Sequence, residues 1–338
     1  MPQHHQGLLA GYRFNTGLET EQNRRTLDIN PFPENMSPVM QKTAAILFCT
    51  FPTLLTGQQI LEWDAGGLPE VKLQTVQYRC YLPPDATFVR GVLVLIPGTH
   101  GDGRPLVNDR GWRSLAEKHH LAVVGCRFSD GDFALYQDDK KFVTCRSIEE
   151  AVRKFAEMSQ HPEMARAPLA FWGMSAGSNL SARFCRFNPR RVLCFASSKG
   201  TRGPTRDKNG TEEIPMLFAV GAKDNSTWVE NSLRNIASGV RKGAPWTLAL
   251  HPEEGHGIGG SVTLARIYLD SIIQRRLAPP AEAGKTGRIK PVRRDDAWLG
   301  DPQTLKIFPF RDFPAAPSKG IYLPDEKTAI AWQKYLQG

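Results

Sequence analysis

The chain has 338 residues, a formal net charge of +9 at pH 7 and 41% hydrophobic residues. That composition excludes a disordered or fibrous chain and supplies enough apolar mass for one large domain. The lysines and arginines are scattered with no aromatic-basic module among them, which argues against a nucleic-acid reader, although a basic protein can still adhere to acidic polymers by salt-sensitive attraction.

Residues 1–39 are polar, carry Pro31 and Pro33 and show no apolar period, so they read as an unstructured leader. Lys42 then precedes the apolar run Thr43 to Leu55, with Pro52 near its end and Thr56-Gly57 after it. A charged start, a short apolar core and small residues beyond it form the layout of a secretory signal over 40–57, and imply a secreted or periplasmic product. The core is too short for a comfortable membrane span, so no stable span is expected in the mature chain. Signals begin at the initiator, so translation is expected to start at Met36 or Met40; the other reading makes 43–55 a buried helix. Cleavage after Gly57 leaves Cys80, Cys126, Cys145, Cys185 and Cys194. Loop proximity favours a Cys126–Cys145 bridge in an exported protein, against five buried thiols.

The expected domain spans 58–278, and from residue 71 onward strands and helices alternate. Val71 to Leu82 alternates polar and apolar residues and reads as edge strands. Gly91 to Ile96 is wholly apolar, hence an interior parallel strand. Trp112–His120 reads as a helix and Leu121–Cys126 as a strand. Ser147–Ser159 is amphipathic, with Ser147 as its N-cap and Ile148, Ala151, Val152, Phe155 and Met158 on one face. Strands are expected at Pro168–Gly173, Val192–Ala196, Pro215–Val220 and Trp246–Leu250, and helices at Trp228–Val240 and Val262–Arg275. This alternation predicts a doubly wound, mostly parallel α/β sheet with helices on both faces.

In such sheets function sits beyond the carboxyl ends of the strands. Gly173-Met174-Ser175-Ala176-Gly177 follows a buried strand and precedes a helical run. Strand, tight turn and helix are the context in which G-x-S-x-G presents an exposed serine. The turn strains the serine backbone, so its neighbours must be small; the alternative is an ordinary glycine-rich turn. After Ile96 comes Pro97-Gly98-Thr99-His100-Gly101, a turn able to aim a backbone N–H at Ser175. With the N–H of Ala176 it would form an oxyanion hole, Thr99 being the first choice of second donor and His100 the next. Asp224 follows the strand ending at Val220, and His251 and His256 follow the strand ending at Leu250. Gly255 and Gly257 flank His256 and suit a loop lowering an imidazole onto the serine, whereas His251 lies at the strand end and packs locally. A zinc site at His251 and His256 is disfavoured, because their spacing is not the helical pair and the glycines oppose a helix.

The order Ser175, Asp224, His256, the elbow at Gly173–Gly177 and the Pro97-Gly98 loop resemble the α/β-hydrolase family over roughly Val71 to Leu277. Within it the chain resembles bacterial exported esterases of the dienelactone hydrolase and polyhydroxybutyrate depolymerase type. It departs from the dienelactone pattern in having serine where cysteine is usual. The resemblance implies acyl transfer from a small or polymeric ester, with Ser175 as nucleophile, His256 as base and Asp224 as its orienter, and with no metal or organic cofactor needed. A peptidase or acyltransferase would use the same three groups, and a non-catalytic binding protein could keep the scaffold.

Ser197 to Ile214 shows no helical pattern, so no separate cap domain is expected. Lys199 and Arg202 fall near the expected mouth, where they would attract an acidic group unless both are solvated loop charges; His100 and Lys199 are the candidate substrate-binding residues. Phe128 to Val143 either walls the pocket or covers the sheet edge. Residues 279–338 begin linker-like and then carry apolar anchors at Trp298, Ile307 and Ile321 and a short helix at Asp325–Leu336, which reads as an extension wrapping the domain. Oligomeric state leaves no mark in the sequence.

Overall fold

Gly91–Ile96 is buried at all six positions and forms β3, an interior strand of the main sheet in this computed structural model. The structure describes residues 59–84, 86–129, 140–201, 210–241, 243–278 and 289–338, all within a compact unit spanning 56–338. The expected leader over 1–39, the expected signal segment over 40–57, Arg202, most of the 128–143 connection and residues 279–288 lie outside the described residues.

The other strands of the main sheet are β1 (Gln59–Asp64), β2 (Thr75–Leu82), β4 (Leu121–Ser129), β5 (Leu169–Met174), β6 (Val192–Ser198), β7 (Met216–Gly221) and β8 (Trp246–His251). Their order is β1-β2-β4-β3-β5-β6-β7-β8. The β1–β2 and β2–β4 pairs are antiparallel and every later pair is parallel, with Val94 opposite Val124 on one side and Leu95 opposite Trp172 on the other.

Successive side chains on a strand point to opposite faces, and β3 feeds two separate cores. Val92, Val94 and Ile96 join one with residues of α2 (Val143–Ser159), α3 (Ala176–Phe187) and α4 (Ser226–Arg241). Leu93 and Leu95 join the other with residues of α1 (Arg110–His119), α5 (Ser261–Arg276) and α6 (Glu326–Gln337). A strand apolar throughout is thus read by helices on both faces. Burial of each such aliphatic side chain contributes about 1.5–3 kcal/mol. Between β6 and β7 the described residues hold only a 3-10 turn, Thr211–Glu213.

Four expectations change. The sheet edge is β1, not the 71–82 region: Pro69–Val71 is a 3-10 turn, and Thr75–Leu82 is the second strand, bonded on both sides. Helix α2 begins at Val143, so Ser147 is interior and not an N-cap; its hydroxyl is taken by Tyr78, 2.7 Å away across the core. No disulfide joins Cys126 to Cys145, because both are small apolar members of the same core and all five described cysteines are buried thiols. The tail holds a sheet of its own, with β9 (Trp298–Gly300) between β10 (Ile307–Pro309) and β11 (Ile321–Leu323), all antiparallel.

The tail is bonded into the domain. The Thr247 hydroxyl in β8 donates to the Tyr322 carbonyl, and the Trp332 indole donates to the Leu248 carbonyl at 2.7 Å. Asp325 caps α6 by accepting the Thr328 N–H at 2.8 Å. Asp270 on α5 gathers Lys118 and His119 from α1 and Lys327 from α6, at 2.7, 2.6 and 2.8 Å. No helix among the described residues is long and apolar enough to cross a membrane.

Candidate active site

Ser175 is held at φ +49°, ψ −117°, a region that side-chain-bearing residues seldom occupy, between the end of β5 and the start of α3. Sterics explain the flanking glycines. A Cβ on Gly173 would lie 2.6 Å from the Gly177 backbone, and one on Gly177 would lie 2.3 Å from the Ile96 carbonyl oxygen. The Ser175 N–H donates to the Ser198 carbonyl at 2.9 Å, tying the turn to the end of β6.

Asp224 and His256 lie on the loops after β7 and β8, and backbone bonds join those loops. The Ala222 N–H donates to the His251 carbonyl and the Lys223 N–H to the Glu254 carbonyl, both at 2.9 Å. His256 Nδ1 is 2.7 Å from Asp224 Oδ2, and His256 Nε2 is 2.8 Å from Ser175 Oγ. The Asp224 side chain is 7% exposed and that of His256 36%, so the carboxylate is sheltered while the imidazole meets solvent. The Asp224 Oδ1 atom accepts the Asn225 N–H at 2.7 Å. This leaves one carboxylate oxygen for the ring.

His251 does something else. Its Nδ1 accepts the N–H groups of Glu253 and Glu254 at 3.1 and 3.2 Å, which closes the turn before His256. Among the described residues no three His, Cys, Asp or Glu side chains gather as a metal site.

The Gly98 turn abuts the serine: a Cβ on Gly98 would be 3.4 Å from Ser175 Cβ. Gly101 N–H closes that turn onto the Gly98 carbonyl at 3.0 Å, which leaves the Thr99 N–H outside the turn's own bond. Ala176 is the first residue of α3, so its N–H has no acceptor within the helix. His100 takes the left-handed position of the turn, φ +58°, and is exposed, with no hydrogen bond to Ser175, Asp224 or His256.

Lys199 departs from expectation. Its side chain is 0% exposed and it pairs with Glu254 and with the Tyr335 hydroxyl, so it is not a charge at the mouth. Desolvating an ammonium is costly unless it is paired. Here the pairing group stands 55 residues further along the chain.

Three residues at the site escaped the sequence reading. Trp228, 43% exposed, packs its ring 5.0 Å from that of His256. Asn179 on α3 accepts the Thr201 N–H at 3.0 Å and so pins the segment after β6. Tyr335 on α6 bonds Glu254 and sets its ring edge-on against His251 at 4.9 Å. Trp228 lies four residues after Asp224 and was reachable by asking what flanks the acid; Tyr335 carries no local signal.

The eight-strand order with β2 antiparallel, the helices on both faces and the strand–turn–helix at Ser175 define the α/β-hydrolase fold. No family model matches the chain, and no curated protein matches its sequence. Among solved structures it is similar to a ferulic acid esterase (12% identity, 64% of this chain and 98% of that one, TM-score 0.47). It is similar also to a poly(3-hydroxybutyrate) depolymerase from Bordetella parapertussis (16%, 68% and 94%, 0.46). A third is an S-formylglutathione hydrolase from Agrobacterium tumefaciens (16%, 66% and 97%, 0.47). Likenesses this distant say nothing of a substrate, and the fold assignment rests on the strand order itself.

Proposed function

We propose that the protein is a serine hydrolase of carboxylic esters. One observation carries the reading: an unbroken hydrogen-bonded chain from Ser175 Oγ through both nitrogens of His256 to Asp224, starting at a strained elbow. In the productive tautomer His256 Nδ1–H donates to Asp224, and Nε2 accepts the Ser175 hydroxyl proton as Oγ attacks the carbonyl carbon. Asp224 holds the ring in that tautomer and stabilises the imidazolium that forms. The N–H groups of Ala176 and Thr99 are assigned to the oxyanion of the tetrahedral intermediate, each such donor being worth about 10²–10³ in kcat. The imidazolium returns its proton to the leaving alkoxide. Water, activated by the same imidazole, then releases the acid from Ser175. Export through residues 40–57 belongs to the same proposal, and N-terminal sequencing of the native protein tests it; a mature start before residue 36 would sink it.

The function is tested by treating the full-length protein and Ser175→Ala with a fluorophosphonate and reading intact mass. A single adduct on the wild type, absent from the variant, is the expected result. Turnover on an ester panel and none on a matched peptide panel completes it. A folded wild type that takes no probe and turns over no ester removes the proposal.

A further inference from the structure

Lys199, Glu254 and Tyr335 are far apart in sequence and meet beside the loop that carries His256. Oε2 of Glu254 accepts from Lys199 Nζ and from the Tyr335 hydroxyl, and Oε1 accepts the Gly260 N–H at 2.8 Å. Lys199 Nζ is also 3.1 Å from the Tyr335 hydroxyl oxygen, which closes a triangle. Bonds to an ionised group are the strong ones, and linked bonds reinforce one another away from water. Burial pushes the Glu254 carboxyl up, but the bonds from Lys199, Tyr335 and Gly260 outweigh it and the group is held below its ordinary value. Burial and the neighbouring carboxylate push the Tyr335 hydroxyl far up, so it remains a donor at neutral pH.

The triangle reaches the segment of every member of the triad. Lys199 follows Ser198, whose carbonyl accepts the Ser175 N–H. The Glu254 carbonyl accepts the N–H of Lys223, the neighbour of Asp224. His256 lies between Glu254 and Gly260, the two points where one carboxylate grips the loop. That loop contains Gly255, Gly257, Gly259 and Gly260, so its backbone has much freedom to lose. Ile258 is 45% exposed; apart from the Glu254 grip, the loop is held by His256 to Asp224 and Ser175 and by the Ile258 carbonyl, which accepts from the backbone and hydroxyl of Ser261.

We infer that Glu254 and Tyr335 are positioning residues for His256, through which the C-terminal helix α6 holds the histidine loop in register with Ser175 and Asp224. The C-terminal extension is then part of the active site as well as of the fold. This rests on the reading of Ser175, His256 and Asp224 as a catalytic triad.

Tyr335→Phe deletes the hydroxyl and keeps the ring against His251; Glu254→Gln keeps the shape and deletes the charge. Both full-length variants are compared with wild type for kcat and KM on its best ester and for the rate of fluorophosphonate labelling at Ser175. The low-field proton resonance of the His256–Asp224 hydrogen bond, identified by its loss in Asp224→Asn, is followed alongside. In Glu254→Gln, kcat and labelling rate should fall about 10- to 100-fold, as for a catalytic group misplaced by an ångström, with less loss in Tyr335→Phe. KM should stay within about twofold and the low-field resonance should broaden or vanish, while Tyr335→Phe melts near wild type. Wild-type rates in both variants overturn the inference and leave the triad standing, as does a loss in Tyr335→Phe that only follows its folded fraction. If Glu254→Gln does not fold, Tyr335→Phe alone decides. A wild type that takes no probe takes down the triad reading and this inference together.

Discussion

At the scale of single residues, the site shows why two histidines five positions apart differ. His251 spends its Nδ1 acceptor on the amides of Glu253 and Glu254, whereas His256 has one nitrogen toward Asp224 and the other toward Ser175. The assignment makes Asp224 a tautomer-setting group. Asp224→Asn should therefore keep the fold and lower kcat by about 10⁴-fold. A loss under tenfold, with folding confirmed by circular dichroism, would show that the carboxylate does not orient the ring. Ser175, Asp224 and His256 were legible as candidates because Ser175 directly follows β5 and the other two lie on the short loops that follow β7 and β8, and that placement is written locally. Lys199 has the same placement and misled for that reason. Whether a lysine after a strand faces solvent or lies buried depends on its partners, Glu254 and Tyr335, and no local pattern announces them.

At the scale of elements, a clear period revealed the type of a helix or strand but not its ends, since α2 starts four residues before Ser147 and β2 four after Val71, and elements defined by their neighbours were missed. β1 has only half-buried and exposed positions in alternation, and it is its pairing with β2, with Leu61 and Trp63 laid against the core, that makes it a strand. The three strands of the tail are three residues each, too short to show alternation. Helix α6 depends on one large anchor. Trp332 is 1% exposed, packs in the core with α5 and bonds the Leu248 carbonyl. Trp332→Ala should cost about 3–5 kcal/mol, the usual range for emptying such a site. Urea melts followed by circular dichroism would measure it, and a cost below about 1 kcal/mol would mean the tail only rests on the domain.

At the scale of the whole molecule, Asp270 joins α1, α5 and α6 through His119, Lys118 and Lys327. The hydrogen bond from His119 leads the causes that hold its carboxyl well below the ordinary 3.8, against the upward push of burial. A carboxyl depressed in the folded state takes up its proton later than in the unfolded chain. Its contribution is therefore fully present above the unfolded value, about 4, and is lost as pH falls through that value toward the folded one. Stability measured between about pH 5 and pH 2 should fall less steeply in Asp270→Asn than in wild type. Parallel slopes would show that the cluster contributes nothing to acid sensitivity.

By itself the sequence determined the α/β alternation, the two-faced sheet and the candidate nucleophile, acid and base, because strand burial and turn sterics act over a few neighbouring residues. Only the tertiary structure decided which cysteines stay unbridged, where Lys199 points and what the C-terminal helix touches. Those outcomes rest on contacts between segments tens of residues apart, where burial of a charge and its compensation are settled together.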